Sequence, residues 1–93
     1  MPSPGKGFAG ALHALPEGTF TGVAADRRYV VTKSLFSNGR SVKLVAEELG
    51  GNDYISLNFY RLTSGDQLYP CEMSIEKVTD FVGALMPDQS DAE

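Results

Sequence analysis

The sequence predicts an α+β domain: an antiparallel meander of four or five strands, followed by one C-terminal helix packed on one sheet face. Three observations carry this. Short runs rich in β-branched and aromatic residues recur from residue 18 to 73, each closed by a Gly, Asn or Asp turn. Asn38-Gly39 joins two of these runs, and both residues tolerate the positive φ of a type I′ hairpin turn. After residue 73 the period changes: Ile75, Val78, Phe81, Val82 and Leu85 recur at helical spacing.

The elements follow in order. Residues 1–17 hold three of the five prolines, three glycines and no sustained period, so they read as a flexible leader. "GTFTGVA" (18–24) is a short strand that Gly22 weakens. "RRYVVTKSLF" (27–36) and "RSVKLVAEEL" (40–49) form a hairpin about "SNGR". "GGND" leads into "YISLNFYRL" (54–62), and "TSGD" into "QLYPCEM" (67–73). Pro70 cannot donate a ladder bond, which marks the last strand as an edge or a bent strand. Ser74 suits a helix N-cap, with Met73 and Val78 as a hydrophobic staple about it. Pro87 stops the helix near Met86. The domain thus spans 18–87, and 88–93 reads as a disordered tail.

A two-residue turn at Asn38-Gly39 fixes register. It pairs Leu35 with Val42, Lys33 with Leu44 and Val31 with Ala46. Cross-strand partners share a face. Val31, Leu35, Val42, Leu44 and Ala46 then lie under the helix, with Ile55, Leu57 and Phe59 beside them. The far face holds Arg28, Val30, Thr32, Ser34, Lys43 and Val45, joined by Tyr54, Ser56, Asn58 and Tyr60.

Composition bounds the function. Ninety-three residues make one small domain with a modest core. A homodimer is expected, because association adds buried apolar area without lengthening the chain. No stretch reaches the ~20 apolar residues that cross a bilayer. With a single cysteine, Cys71, no internal disulfide forms. The N-terminus makes a poor signal peptide, so a cytoplasmic location is expected. Net charge is −4 but unevenly spread. Arg27, Arg28, Lys33, Arg40 and Lys43 give residues 27–46 a charge of +5 with no acid. Residues 47–93 hold ten acids against Arg61 and Lys77, giving −8. Such asymmetry marks either a basic face on an acidic body or the accident of which strands carry cations.

Catalytic chemistry finds little support, and no enzyme activity is expected. His13 stands alone in the leader. Cys71 has no histidine base near it and reads as a small apolar thiol packed under the helix. Glu47, Glu48 and Asp53 lack calcium-loop spacing and read as solvated charges. "SPGKGFAG" lacks the spacing and the preceding strand of a phosphate loop. No metal, cofactor or small-molecule substrate is expected.

The far face offers more. Single-stranded nucleic acid is held by cations along the phosphates and by flat rings under the bases. Tyr54 and Tyr60 supply rings, Arg28 and Lys43 cations, and Ser34 and Asn58 hydrogen-bonding groups. Binding of single-stranded nucleic acid on this face is the leading expectation, and a protein–protein or homodimer interface, which the same tyrosines with Val30 and Val45 also suit, is the alternative. Tyrosine and threonine are in addition simply good strand formers.

From about Tyr29 to Leu85 the chain resembles the positive-cofactor-four-like single-stranded-DNA-binding transcriptional coactivators. The likeness rests on "RRYVVTKSLFSNGRSVKLVAEEL" and on "ISLNFYRLTSGDQLYPCEMSIEKVTDFV", where an alternating strand leads through a glycine turn and a proline to a Ser-capped helix. The resemblance implies a dimer whose concave sheet surface binds unpaired strands, with a role in transcription. It implies Arg28, Lys33, Lys43 and Arg61 as phosphate contacts and Tyr54 and Tyr60 as stacking groups. The chain departs from that pattern in its sparse cations and in Cys71-Glu72, where glycine or a cation is expected.

Overall fold

A computed structural model describes residues 7–88. Six strands form one antiparallel sheet: β1 (Gly18–Ala24), β2 (Arg27–Phe36), β3 (Ser41–Glu48), β4 (Tyr54–Leu62), β5 (Gly65–Pro70) and β6 (Met86–Pro87). The strand order is β5-β4-β3-β2-β1-β6. Two helices, α1 (Phe8–Ala14) and α2 (Ile75–Ala84), complete the α+β fold.

The hairpin register follows the turn chemistry. Leu35 pairs with Val42, Lys33 with Leu44 and Val31 with Ala46. Asn38 (φ 59°, ψ 35°) and Gly39 (φ 88°) take type I′ values, and the Arg40 amide donates to the Ser37 carbonyl at 3.2 Å. Parity then sorts the side chains. Val31, Val42, Leu44, Ala46, Ile55, Leu57, Phe59 and Leu68 turn to one face and are buried. Ser74 caps α2 as its side-chain oxygen accepts from the Lys77 amide at 3.1 Å. Val78, Phe81 and Val82 of α2 complete that core. Phe81 meets the Tyr29 ring edge-on at 4.9 Å. Leu35 departs from its expected place: at the strand end beside the 37–40 loop it is 37% exposed.

The sheet has two more elements than a four-stranded meander, and the N-terminus corrects the expected leader. Phe8, Leu12 and Leu15 are buried, Phe8 against the Phe59 ring at 5.5 Å. Residues 8–15 therefore belong to the domain, and the leader's first six residues lie outside those described. The cause sits on β2. Lys33 is only 4% exposed, and its ammonium donates to the carbonyls of Leu12 (2.8 Å), His13 (3.2 Å) and Leu15 (2.8 Å). These carbonyls stand at a helix C-terminus, where Leu12 O also accepts from the Leu15 amide at 3.2 Å and where a cation meets the negative end of the helix dipole. Burial pushes the Lys33 amine below the usual lysine range, and Glu17 partly opposes this.

β6 was also beyond the expected meander. It runs beside β1 because Gly22 has no side chain: a Cβ there would meet the Met86 carbonyl oxygen at 2.8 Å. The Asp88 amide then donates to Thr21 O at 2.9 Å, so the ordered chain continues one residue into the expected tail. Residues 89–93 lie outside those described.

Opposite Lys33, a polar cluster ties α2 to the β3–β4 turn. Asp53 accepts from Lys77 Nζ at 2.7 Å and from the Tyr29 hydroxyl at 2.8 Å. Lys77 first, then Tyr29, holds the Asp53 carboxyl below its ordinary value of 3.8.

Two outcomes follow from these contacts. Lys33→Met should cost about 2–4 kcal/mol, since it strips bonds from buried carbonyls. It should also release α1, seen by hydrogen exchange as lost protection of the Ala11 and Leu15 amides while the sheet keeps its circular dichroism. Retained protection at those amides would contradict the capping role. A depressed folded pKa means that the ionised Asp53 contributes stability above the unfolded value, lost as pH falls through the folded one. Asp53→Asn should therefore be less stable than wild type at neutral pH, with the gap between their urea midpoints closing by about pH 2.

Candidate functional site on the open sheet face

Both helices lie on the same side of the sheet, which leaves the other face bare. Register orders it in rows. The central row is Thr19, Thr32, Val45, Ser56 and, beyond β5, Cys71, whose amide donates to Ser56 O at 3.0 Å. Toward the β2–β3 turn come Ser34, Lys43, Asn58 and Tyr69, then Phe36, Ser41, Tyr60 and Gln67. Toward the other end come Thr21, Val30, Glu47 and Tyr54.

Five of the expected residues share this face: Arg28, Lys43, Tyr54, Asn58 and Tyr60. Lys43 pairs with Asn58 across β3 and β4, Tyr60 lies two residues along β4, and Tyr54 lies at its start. Tyr69 was missed, although the same parity carried through β5 would have placed it. Its ring meets Tyr60 edge-on at 5.6 Å, and its hydroxyl donates to Gln67 Oε1 at 2.9 Å. Phe36 and Leu62 add exposed apolar area toward the same end, at 54% and 50% exposure. Tyr54 donates to Glu72 Oε1 at 3.4 Å.

The expected cations are placed differently. Lys33 is on the helix side and occupied by α1. Its alternation with Val31 and Leu35 already put it there, but a charged side chain reads as solvated until a partner is known. Arg61 follows Phe59 on the helix side, where Nη1 donates to His13 Nε2 at 3.0 Å and Nε lies 3.7 Å from Asp66. Arg28 is on the open face but bound: Nη2 donates to Asp88 Oδ2 at 2.6 Å. Arg28 first and Thr21 second hold Asp88 below the ordinary carboxylate value. Lys43 is thus the one cation of the expected set that stands on this face without an ion pair among the described residues.

Cys71 corrects its expected place under the helix. It sits half-buried on the open face, where Asn58 Nδ2 approaches its sulfur at 3.7 Å. Glu48, expected to be solvated, accepts from the Asp53 amide at 3.3 Å and lies 3.7 Å from Arg27. Among the described residues no group of His, Cys, Asp and Glu is placed to hold a metal ion. No helix among them is long and apolar enough to cross a membrane.

No protein-family model, curated protein or solved structure matches this chain.

The two faces separate cleanly under mutation. Phe59→Ala should cost about 3–5 kcal/mol, because it empties the core beneath α1. Tyr60→Ala, one residue along, should cost only about 1 kcal/mol, the worth of an exposed ring pair. Equal losses in urea denaturation would contradict the parity on which the open face rests.

Proposed function

We propose that the domain is a non-catalytic binding module whose working surface is the open sheet face, and that its occupant is a protein surface, in the simplest case a second copy of the chain. The observation that carries this is the face itself: tyrosine, valine, hydroxyl and amide side chains, with charge confined to Lys43, Glu47, Glu72 beside Tyr54 and the Arg28–Asp88 pair. Aromatic enrichment with few charges is the composition of an interface core. The size also fits. The six strands, from two to ten residues long, at ~3.3 Å rise and ~4.8 Å spacing present roughly 600–700 Å² in projection. A stable interface takes about 800 Å² per partner. Charge is self-complementary as well. Lys43 and Glu47 flank Val45 on β3, so a twofold axis along the Thr32–Val45–Ser56 row sets Lys43 against Glu47 of the second copy.

A second reading is single-stranded nucleic acid, and the Lys43–Asn58–Tyr60–Tyr69 cluster favours it. Two rings, an amide and one cation are the parts that stacking recognition uses. The strand and helix order of residues 29–85, with its resemblance to single-strand-binding coactivators, adds to this reading and to a role in transcription.

One pair of measurements separates the two. Sedimentation equilibrium should show a dimer at about 100 μM, with Val45→Asp monomeric and still folded. A labelled single strand should show no salt-dependent binding. A wild-type monomer at that concentration removes the second-copy reading. If the monomer instead binds the strand, Tyr60→Ala should weaken binding about fivefold or more. The slope of log K against log salt should then be only about −1, since few phosphates are neutralised.

A further inference from the structure

Away from the open face, the β2–β3 loop and the β4–β5 hairpin stand side by side at one end of the sheet. An open depression of about 880 Å³ lies between them. Arg40 and Arg61 both line it. The Arg61 amide donates to the Arg40 carbonyl at 2.8 Å, one step beyond the Ser41–Tyr60 pair, so the two arginines lie directly opposite each other. Like charges placed so in an antiparallel ladder repel and cost stability. Asp66, cross-strand partner of Arg61, relieves this only in part. It lies 3.7 Å from Arg61 Nε, whereas Arg40 makes no ion pair among the described residues. His13 is no acid: its Nε2 accepts the Arg61 Nη1 bond at 3.0 Å and supplies no negative charge. Arg40, Arg61 and Asp66 leave one positive charge here, on a chain whose net charge is −4. Ser37, Ser41, Thr63 and Ser64 line the same depression with hydroxyls.

We propose that this depression is an oxyanion site and that its ligand is a phosphoryl group, free or carried as a monoester, bridging Arg40 and Arg61. A guanidinium presents paired N–H donors that match two oxygens of a phosphate. A carboxylate has two oxygens in one plane, too few for two guanidinium groups and a ring of hydroxyls. A tetrahedral phosphoryl group has three or four, pointing in different directions. Bound there, it removes the arginine repulsion that the empty site retains. Asn38 (φ 59°) follows from the type I′ turn, and Ser37 (φ 55°) before it also takes left-handed backbone, which sets its hydroxyl at the edge of the depression. The site stands at the end of the sheet, with Arg40 and Arg61 on the helix side and Ser41 and Leu62 reaching it from the open face.

The test is a titration of the full chain with inorganic phosphate at constant ionic strength, followed by the backbone amide signals of Arg61 and Ser64. Saturable shifts with Kd of about 1 mM are expected. Arg40→Gln should weaken binding about tenfold. Arg27→Gln, the same charge change at the opposite end of the sheet, should leave it unaltered. Shifts that do not saturate by about 50 mM overturn the proposal. So does equal weakening by Arg40→Gln and Arg27→Gln, the mark of diffuse charge attraction. A second arm uses a nucleoside monophosphate and an oligonucleotide lacking terminal phosphate. Arg40-dependent binding of the monophosphate supports the assignment. Arg40-dependent binding of the oligonucleotide, with no saturable response to phosphate, overturns it in favour of a strand backbone.

Discussion

A β-strand turns successive side chains to opposite faces, and in the centre of β2, β3 and β4 every aliphatic side chain except Val30 and Val45 turns the same way. Val31, Val42, Leu44, Ala46, Ile55, Leu57 and Phe59 are all buried on one face. A slip of one residue in any pairing would move a whole strand's set to water. The register is therefore held by the core itself, and the turns only have to permit it. Both helices must lie on that face, because no other surface can bury Val78, Phe81, Leu12 and Phe8. The bare opposite face is a consequence of the same constraint: among the described residues both helices are taken up by the core face.

Lys33 shows how such a constraint absorbs a charge. Its position between Val31 and Leu35 gives it no choice of face. An ammonium directed into an apolar core would be untenable without acceptors, since burying an unpaired charge is costly. The C-terminus of α1 supplies the acceptors, the carbonyls of Leu12, His13 and Leu15. The buried ammonium would be unfavourable without them. The bonds in turn fix where an otherwise marginal helix of seven residues must dock.

What the sequence makes legible follows from the range of the interactions involved. Ser74 as N-cap, the Asn38-Gly39 turn and the β2–β3 register depend on neighbours within a few residues, and all can be read directly. The open face is legible for the same reason, through alternation in β4. α1 is not, although Phe8, Leu12 and Leu15 already carry helical spacing, because its fate depends on a lysine eighteen or more residues away. β6 depends on Gly22, whose empty side-chain position reads locally only as a weakened strand. The ion pairs that remove Arg28 and Arg61 from the candidate set link residues far apart or on opposite sides of a hairpin. Charge along the chain thus shows where cations are, but not which of them are free.

The uneven charge of the sequence also takes a spatial form. Asp26, Glu47, Glu48 and Asp53 gather at the end bearing the β1–β2 and β3–β4 turns, and Arg27 and Lys77 answer them only in part. Arg40 and Arg61 stand at the opposite end, about the length of the strands away. Over that distance surface charges in physiological salt are largely screened from one another, the Debye length being about 8 Å. Each end therefore presents its own sign to an approaching partner instead of averaging to the net −4. The open face between them is left close to neutral, since Lys43 balances Glu47. A neutral aromatic surface selects by shape and desolvation, whereas the arginine end selects by charge. The division of cations between Lys33, Arg28, Arg61 and Arg40 is what keeps the two kinds of recognition on separate parts of one small sheet.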